Sequence, residues 1–575
     1  MRRPPLLGIL VTGALLAALF LYYRSTTAPA TDEAAAGQRG GQLVGSLRAE
    51  VRSYNRIAAR DQNTDVLSFL LHDRLVRINR TTFELEPRLA ERWESSADGR
   101  THTLHLRQGV AWSDGQPFTA DDVLFSLRAA YAENSGSVVG SSLRVSGQPI
   151  RATAPDANTI VLTFPGPSGP GLRLLDGLVI LPKHKLETAL ANGTFATAWD
   201  STAAPADIVG TGPFVVREYQ PGQRLVLDRN PRYWRTAPDG GALPYLDRLV
   251  LEIVPDQNAE LLRLQAGTID LTQSELRAED YVAARRAEEQ GQLEILELGV
   301  GTDADAFWFC LKPEVKRDDP RFAFVQRPEF RQAISHAVDR ELFADDVFLS
   351  AAVPIWGPVT PGNRLWFFAD LPRYPPDVER ARQLLASIGL EDRNGNGIVE
   401  DEKGTEARFT VITQRGIGFY ERGTAFLKES VARAGIALDI APLENSALIE
   451  RLLACNYDAI YYRPLATDLD PAGNPDFWLS SGGAHLWNMN QRAPMTDWER
   501  RIDTLMLEQA ATTDPGRRVD IFRDVQRIFA ENLPVLYFAA PRLYYAHSSR
   551  VQGIEPSVLR PPALWNADTI SVSSP

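Results

Sequence analysis

Residues 89–128 read LAERWESSADGRTHTLHLRQGVAWSDGQPFTADDVLFSLR, which predicts a strand, a tight turn and a capped helix in succession. Polar and apolar residues alternate over 101–107, as they do in a half-buried strand. The turn SDGQP follows at 113–117. Thr119 is a suitable N-cap, and the two aspartates in the next turn complement the helix dipole. The block therefore indicates a domain that mixes strands with helices.

The remaining sequence continues this mixture. We predict a hairpin from strands at 214–219 and 224–228, because a Pro-Gly pair separates them. Amphipathic helices are predicted at 258–267 and 329–343. Residues 408–440 have a strand–helix–strand order, which is typical of an α/β lobe.

Length and charge limit the class of protein. At 575 residues the chain is too long for one hydrophobic core, so we expect two or three domains. Apolar residues make up 44% and charged residues 23%, an ordinary globular composition. The formal net charge of -12 is spread in mixed-sign runs, which disfavours a nucleic-acid partner because phosphate binding needs a basic face.

The amino terminus indicates export. Met-Arg-Arg precedes an uncharged apolar run at 6–23, and such a run is inserted with its arginines on the cytoplasmic side. We assign 1–24 to a signal peptide or membrane anchor and 25–40 to a flexible spacer. Ala28-Pro29-Ala30 offers a cleavage site, whereas a run of this length is also enough to span a bilayer. Both outcomes place the rest of the chain outside the cytoplasm, either periplasmic or tethered to the membrane.

Three blocks carry a family resemblance. They are the opening block, VGTGPFVVREYQPGQRLVLDRNPRYW at 209–234 and FRQAISHAVDRE at 330–341. In this order they resemble the extracytoplasmic solute-binding proteins of family 5, the peptide, dipeptide and nickel binding group. The resemblance runs from about residue 41 almost to the end of the chain.

The resemblance implies an α/β architecture, the two-lobed periplasmic-binding-protein type II fold, with an additional α+β domain inserted in the first lobe. The implied boundaries are 41–83, 205–307 and 533–575 for the first lobe, 84–204 for the extra domain and 308–532 for the second lobe.

The same resemblance implies a function without catalysis. We expect a monomer that captures a small ligand, an oligopeptide or dipeptide, for the permease of an ATP-binding cassette importer in the inner membrane. The alternatives are the same scaffold with a non-peptide solute such as a sugar or a metal chelate, and a secreted hydrolase or a sensor without a transporter. The sequence contains no HExxH, GxxxxGK or GxSxG motif, and no cofactor is expected.

The resemblance also suggests where a peptide would bind. In peptide-binding relatives the acid that holds the ligand's ammonium group lies in an Asp-rich segment before a proline, which corresponds here to 457–490. Asp468 and Asp470 are the candidates, and the alternative is that both make local bonds in a turn. The further candidates for the cleft wall are Trp478, Trp487, Asn488 and Tyr54.

One loop has the spacing of a cation site. Asp392, Asn394 and Asn396 place oxygen-bearing side chains at alternate positions, and a glycine follows at the sixth, as in the opening of a calcium loop. The twelfth position is Lys403 instead of a bidentate glutamate. A structural calcium ion and a solvated polar turn both remain open.

The two cysteines, Cys310 and Cys455, do not form a CxxC pair, so the sequence has no cysteine-based zinc site. Both lie in apolar surroundings. We expect buried free thiols, and a disulfide is the alternative in an oxidising compartment.

Overall fold

The computed structural model describes residues 39–59, 61–145, 147–464 and 469–573. The predicted signal or anchor segment lies outside the described residues, and so does the predicted spacer up to residue 38. Within the described part, none of the helices is both long and apolar enough to cross a membrane. The α-helices there are Gln62–Leu71, Ala120–Tyr131, Lys183–Ala191, Gln257–Gln265, Tyr281–Glu289, Pro313–Lys316, Phe322–Val325, Pro328–Ala337, Arg340–Phe348, Val378–Ser387, Gly418–Ala432, Asn445–Ala454, Pro475–Trp478, Asp497–Ala511 and Pro515–Asn532.

The first lobe is the part built on two sheets that use both ends of the chain. One sheet contains, in spatial order, Gln42–Leu47, Arg248–Ile253, Arg224–Arg229 and Phe214–Gln220. Its last two strands form the predicted hairpin, and its first two pair in parallel. The other sheet extends from the first lobe to the second: Leu293–Val300 pairs with Ala539–Ser548, and the beginning of Ala539–Ser548 pairs with Ala352–Pro354, which packs on the second-lobe cores. Short two-stranded pairs complete the set: Val76–Ile78 with Leu85–Pro87, and Val551–Gln552 with Ser571–Val572.

The extra domain is built on a fully antiparallel sheet. Its strands, in spatial order, are Ala90–Ser95, Thr101–Leu106, Thr159–Thr163 and Arg151–Asp156, with a small pair at Arg144–Val145 and Gln148–Pro149. The strand and helix predicted in the opening block are confirmed. Thr119 and Asp122 form a capping box at the start of Ala120–Tyr131, and the carboxylate of Asp122 also accepts a hydrogen bond from the Trp112 indole at 3.3 Å.

The second lobe is built on one mixed five-stranded sheet. Its strands, in spatial order, are Ala437–Leu443, Arg408–Gln414, Ala459–Tyr462, Ala306–Phe309 and Val535–Tyr537. The predicted strand–helix–strand unit is confirmed, because Arg408–Gln414 and Ala437–Leu443 pair in parallel around helix Gly418–Ala432. All four residues of Ala306–Phe309 are buried. Phe307 and Phe309 join one apolar core, and Trp308 joins another, so the sheet is covered on both faces.

The helix predicted at 329–343 is wrong as a single element. The structure has two helices, Pro328–Ala337 and Arg340–Phe348. Asp339 separates them because its carboxylate accepts the backbone N–H groups of Glu341 and Leu342, which caps the second helix. A local side-chain bond thus overrides a hydrophobic pattern that runs through the break.

The expectation of free thiols is also wrong in this structure. Cys310 and Cys455 form a disulfide, with their Cα atoms 5.8 Å apart and both residues buried. Cys310 follows strand Ala306–Phe309, and Cys455 follows helix Asn445–Ala454. The tertiary fold brings them together across 145 residues, a distance that local context does not reveal.

Candidate ligand-binding cleft

Two adjacent chain crossings join the lobes. Residues 301–305 lead from strand Leu293–Val300 into the second lobe, and Phe538 leads back to Ala539–Ser548. A cavity of about 350 Å³ lies beside these crossings. It is lined by the first lobe and extra domain on one side, by residues 302–304 at the crossing, and by the second lobe on the other. A volume of this size is suited to a small organic ligand.

The first-lobe side of the cavity is rich in arginine. Arg74 and Arg80 lie over the Phe69 ring, with their guanidinium carbons 4.0 and 4.9 Å from its centroid. Both approach Asp176: the Arg74 Nε donates to its carbonyl oxygen at 2.7 Å, and Arg80 pairs with its carboxylate at 3.1 Å. Arg56 pairs with a neighbouring aspartate of the same wall at 2.6 Å. These contacts fix cationic groups on a rigid surface.

Burial and charge act in opposite directions at this wall. Burial lowers the pKa of the Arg74 guanidinium to about 9. Burial also favours the neutral form of Asp176, but the charges of Arg80 and Arg74 outweigh it and lower the pKa of that carboxyl below its usual range. Arg74 and Asp176 are therefore both charged at neutral pH.

The described lining has a formal excess of positive charge. It contains five arginines and three aspartates, a formal excess of two positive charges among the described lining residues. The arginines are Arg56, Arg74, Arg80, Arg173 and Arg560, and the aspartates are Asp65, Asp176 and Asp303. An excess of this sign attracts an anionic group of a ligand.

The second-lobe side is mainly apolar. Trp478, one of the predicted ligand residues, lines the cavity together with Phe477 and Phe522. Trp478 is only 4% exposed, and its ring packs edge-on against Phe522 at 5.1 Å and Phe529 at 5.9 Å. It thus serves the core of the second lobe and presents part of its surface to the cavity.

Three other predicted ligand residues do not line the cavity. Tyr54 is buried in the first-lobe core, and its carbonyl oxygen lies 3.1 Å from the His72 Nε2. Trp487 donates its indole N–H to Glu499 at 3.0 Å. Asn488 is buried, and its backbone N–H donates to the His485 carbonyl oxygen at 2.9 Å. The structure places these side chains in the packed interior of the lobes.

The two candidate aspartates have different positions. Asp470 is 6% exposed and holds Arg518 through two hydrogen bonds of 2.9 and 2.6 Å. It also accepts the backbone N–H of Ala472 at 3.0 Å, as the turn alternative expects. Asp468 lies outside the described residues. Pro464 and Leu469, the described residues that flank this gap, both line the cavity, so the ammonium role of Asp468 stays a prediction.

The lobes also meet away from the crossings. The Gly169 N–H, in the extra domain, donates to the Ala510 carbonyl in the second lobe at 2.7 Å. Arg364 donates to the Thr81 carbonyl at 2.9 Å. An ion pair of 3.0 Å joins the Arg422 guanidinium to a first-lobe glutamate, Glu279. The cavity is therefore held between two lobes that are in contact around it.

The arginine wall, the group of arginines on the first-lobe side of the cavity, was not predicted from the sequence. Arg74 and Arg80 belong to the run HDRLVRINR at 72–80, where the density of arginine in a short apolar segment was the available signal. That signal does not show which side chains face a cavity, because the orientation depends on Phe69 and Asp176. The predicted cation residues Asp392, Asn394 and Asn396 do not line the cavity. Among the described residues there is no group of three or more His, Cys, Asp or Glu side chains arranged for a metal.

Two α/β lobes with an extra domain, two crossings and a cavity between the lobes define a two-lobed solute-binding protein. Residues 84–485 match the family model described as bacterial extracellular solute-binding proteins, family 5 Middle. The chain belongs to this family.

Similar proteins can be aligned with most of this chain. A probable ABC transporter-binding protein of Deinococcus radiodurans is 26% identical and covers 94% of this chain and 93% of the relative. Heme-binding protein A of Haemophilus influenzae is 30% identical over 84% of each chain. The structure of the oligopeptide-binding protein AppA from Bacillus subtilis in complex with a nonapeptide is 24% identical, with a TM-score of 0.70 over 94% of this chain and 100% of that one. This last similarity supports the fold.

Proposed function

We propose that the protein binds a short peptide in the cleft and delivers it to the permease of an ATP-binding cassette importer. The observation that carries the peptide assignment is the pairing of a cation-rich wall with an apolar wall around about 350 Å³. A peptide has a terminal carboxylate for the first wall and side chains for the second. The AppA structure, which contains a nonapeptide, supports the same assignment.

A second candidate is a non-peptide anion. Heme-binding protein A is the relative at 30% identity, and heme also combines carboxylates with a large apolar surface. The arginine excess favours any such amphipathic anion over a neutral sugar. The two candidates differ in whether the ligand carries an ammonium group, which makes Asp468 the residue that separates them.

Binding without catalysis fits the site. The family consists of solute-binding proteins, and we propose that closure of the lobes is the whole of the molecular event. Ligand contacts come from both lobes, so binding favours the closed arrangement by its differential affinity. The predicted domain boundaries, the monomeric state and a signal peptide or membrane anchor at 1–24 belong to this proposal. In either case at 1–24, the lobes would meet the permease from outside the membrane.

The ligand class is tested first by native mass spectrometry of protein purified without denaturation. We expect retained peptides, which mild unfolding releases. A retained tetrapyrrole or oligosaccharide would reject the peptide and identify its replacement.

The carboxylate contact is tested by Arg173→Gln, which removes a charge from the cavity lining. We expect calorimetric affinity for a free peptide to fall by about 1–2 kcal/mol, and by less for the same peptide with an amidated carboxyl end. Arg92→Gln, an exposed arginine of the same domain, is the matched control. Equal losses for free and amidated peptides would remove the carboxylate from this wall.

The ammonium contact is tested by Asp468→Ala. If this carboxylate is buried with the ligand, peptides with a free amino end should bind more weakly by about 2 kcal/mol or more. Peptides with an acetylated amino end should be unaffected, and Asp476→Ala, at an exposed position nearby, should change neither. Unchanged affinity for the free peptide would exclude Asp468 from the site.

A further inference from the structure

The loop at 392–400 lies in the second lobe, between helix Val378–Ser387 and strand Arg408–Gln414. It closes around Asp392. One carboxylate oxygen of Asp392 accepts the Gly395 N–H at 2.8 Å, and the other accepts the Gly397 N–H at 3.0 Å. The side-chain oxygens of Asn394 and Asn396 each accept an N–H two residues further on. Side-chain oxygen atoms are thus held at alternate positions of the loop. Each of them accepts one of these N–H groups and has a second lone pair that could coordinate a cation.

Glu400 supplies the second observation, and it is independent of that spacing. The residue is 4% exposed, and its Oε1 accepts the backbone N–H groups of Arg393 and Asn394 at 3.0 and 3.1 Å, so its carboxylate is turned into the loop. Its Oε2 is shielded from solvent and has no hydrogen-bond partner in the described part of the chain. Burying a carboxylate oxygen without a hydrogen-bond partner lowers the free energy of unfolding.

The guanidinium of Arg393, in the same loop, does not pair with this oxygen. The Arg393 guanidinium donates to the main-chain carbonyl oxygens of Glu400 and Gly389. Its remaining recorded ion pair, at 3.6 Å, is with Glu391, outside the loop. The Glu400 Oε2 is therefore left without a hydrogen-bond partner among the described residues, and a cation bound in the loop would satisfy it.

We propose that the loop at 392–400 binds a calcium ion through Asp392, Asn394, Asn396 and Glu400. The donors are all oxygen, which selects a hard cation over zinc or copper. Two amides and two carboxylates form a weakly charged and adaptable set, which suits calcium better than the strict octahedral geometry of magnesium. A calcium loop normally has an acidic ligand at the twelfth position, where this chain has Lys403. Glu400, at the ninth position, would supply that acidic ligand instead. A set with only two acids is consistent with an affinity in the range of extracellular calcium modules, about 0.1–1 mM.

The effect of calcium would be on stability and not on ligand binding, because the four residues do not line the cavity. Glu400 forms backbone bridges with Glu391 and with Glu406, and the Asn396 amide donates to the Glu406 carboxylate at 2.7 Å. The ion would therefore fasten the start of the segment that leads into strand Arg408–Gln414. This inference stands apart from the identity of the transported solute.

The test is calcium titration into chelator-treated full-length protein, followed by calorimetry and thermal unfolding. We expect one site per chain and a rise in Tm of about 1 to 5 °C in 5 mM calcium, with a smaller rise in 5 mM magnesium. Glu400→Gln should lose at least tenfold in calcium affinity. In chelator, Glu400→Gln should unfold at a temperature no lower than the wild type, because the substitution removes the uncompensated charge.

Asp401→Asn is the matched control. The Asp401 carboxylate accepts the Lys403 and Thr405 N–H groups in the next turn, outside the loop, so this variant should retain calcium binding. If Glu400→Gln folds poorly, Asn394→Ala provides the same measurement with an uncharged position. No calcium-dependent heat and no shift in Tm would overturn the proposal. So would equal calcium affinity in the wild type and the Glu400 variant, or an equal loss in the Asp401 control.

Discussion

Gly169→Ala should weaken ligand binding without unfolding either lobe. Gly169 lies in the loop PGPSGPG at 165–171, which reaches from the extra domain to the second lobe. Its N–H donates to the Ala510 carbonyl at the end of helix Asp497–Ala511, where helix carbonyls lack intrahelical partners. This contact exists only when the lobes are together, so its loss disfavours the closed state alone.

The expected loss of ligand affinity can be estimated from the atoms that surround Gly169. A Cβ atom added there would lie 2.8 Å from the Thr512 carbonyl oxygen and closer still to the Arg518 guanidinium. Arg518 cannot easily move aside, because two hydrogen bonds hold it to Asp470. Losing the Gly169 hydrogen bond costs about 1 kcal/mol, and the overlap adds about 1–3 kcal/mol unless the loop shifts. A penalty of about 2 kcal/mol on closure corresponds to roughly 30-fold weaker binding.

The assay is isothermal calorimetry with the tightest peptide found by native mass spectrometry, beside thermal unfolding of the ligand-free variant. We expect a higher Kd and an unchanged Tm, since the contact belongs to neither core. Gly516→Ala is the control, because a Cβ there meets the Asp514 carboxylate at an ordinary 3.5 Å. A Kd of the Gly169→Ala variant within twofold of the wild-type value would show that the contact between Gly169 and Ala510 does not stabilise the closed arrangement of the lobes.

Three further predictions concern stability. Arg518→Ala should lower the free energy of unfolding by about 3–5 kcal/mol in urea denaturation, because it removes the two charged hydrogen bonds that Arg518 donates to the buried Asp470 carboxylate; a loss below 1 kcal/mol would contradict the pairing. Cys310→Ser should lower it by about 2–5 kcal/mol, because the bond to Cys455 closes a long loop, and a free-thiol assay that finds two thiols in the native protein would contradict the bond. Burial lowers the pKa of His72 to about 4, so the unfolded chain takes up this proton first as pH falls. Above pH 6.5 His72 is neutral in both states and the free energy of unfolding does not depend on it. Between pH 6.5 and pH 4 this difference in pKa lowers the free energy of unfolding by up to about 3 kcal/mol. Denaturation at several pH values should show a smaller decline for His72→Gln, and equal declines would exclude His72 as the cause.

Local sequence signals predicted the elements whose determinants are local. The block at 89–128 is one case, since Thr119 and Asp122 form the helix cap within four residues of each other. The hairpin at Phe214–Gln220 and Arg224–Arg229 is another. By contrast, the helix predicted at 329–343 failed at Asp339, because apolar periodicity does not register a carboxylate that turns to cap the next helix.

The candidate site was less predictable because its determinants are far apart in sequence. Asp470 has an acidic side chain in the expected segment, but its partner Arg518 lies 48 residues away. Trp487 is similarly directed into the core by Glu499. The arginine wall depends on Arg80 meeting Asp176 across 96 residues. A sequence shows that such groups exist, whereas only the fold shows which of them face a partner and which face the cavity.

The most direct test of closure is small-angle X-ray scattering of the same protein sample with and without its bound solute. We expect a smaller radius of gyration in the bound sample, and we expect the Gly169→Ala variant to contract only at a higher solute concentration. An identical scattering curve for both samples, at a solute concentration that calorimetry shows to be saturating, would contradict the claim that two lobes close over one captured molecule.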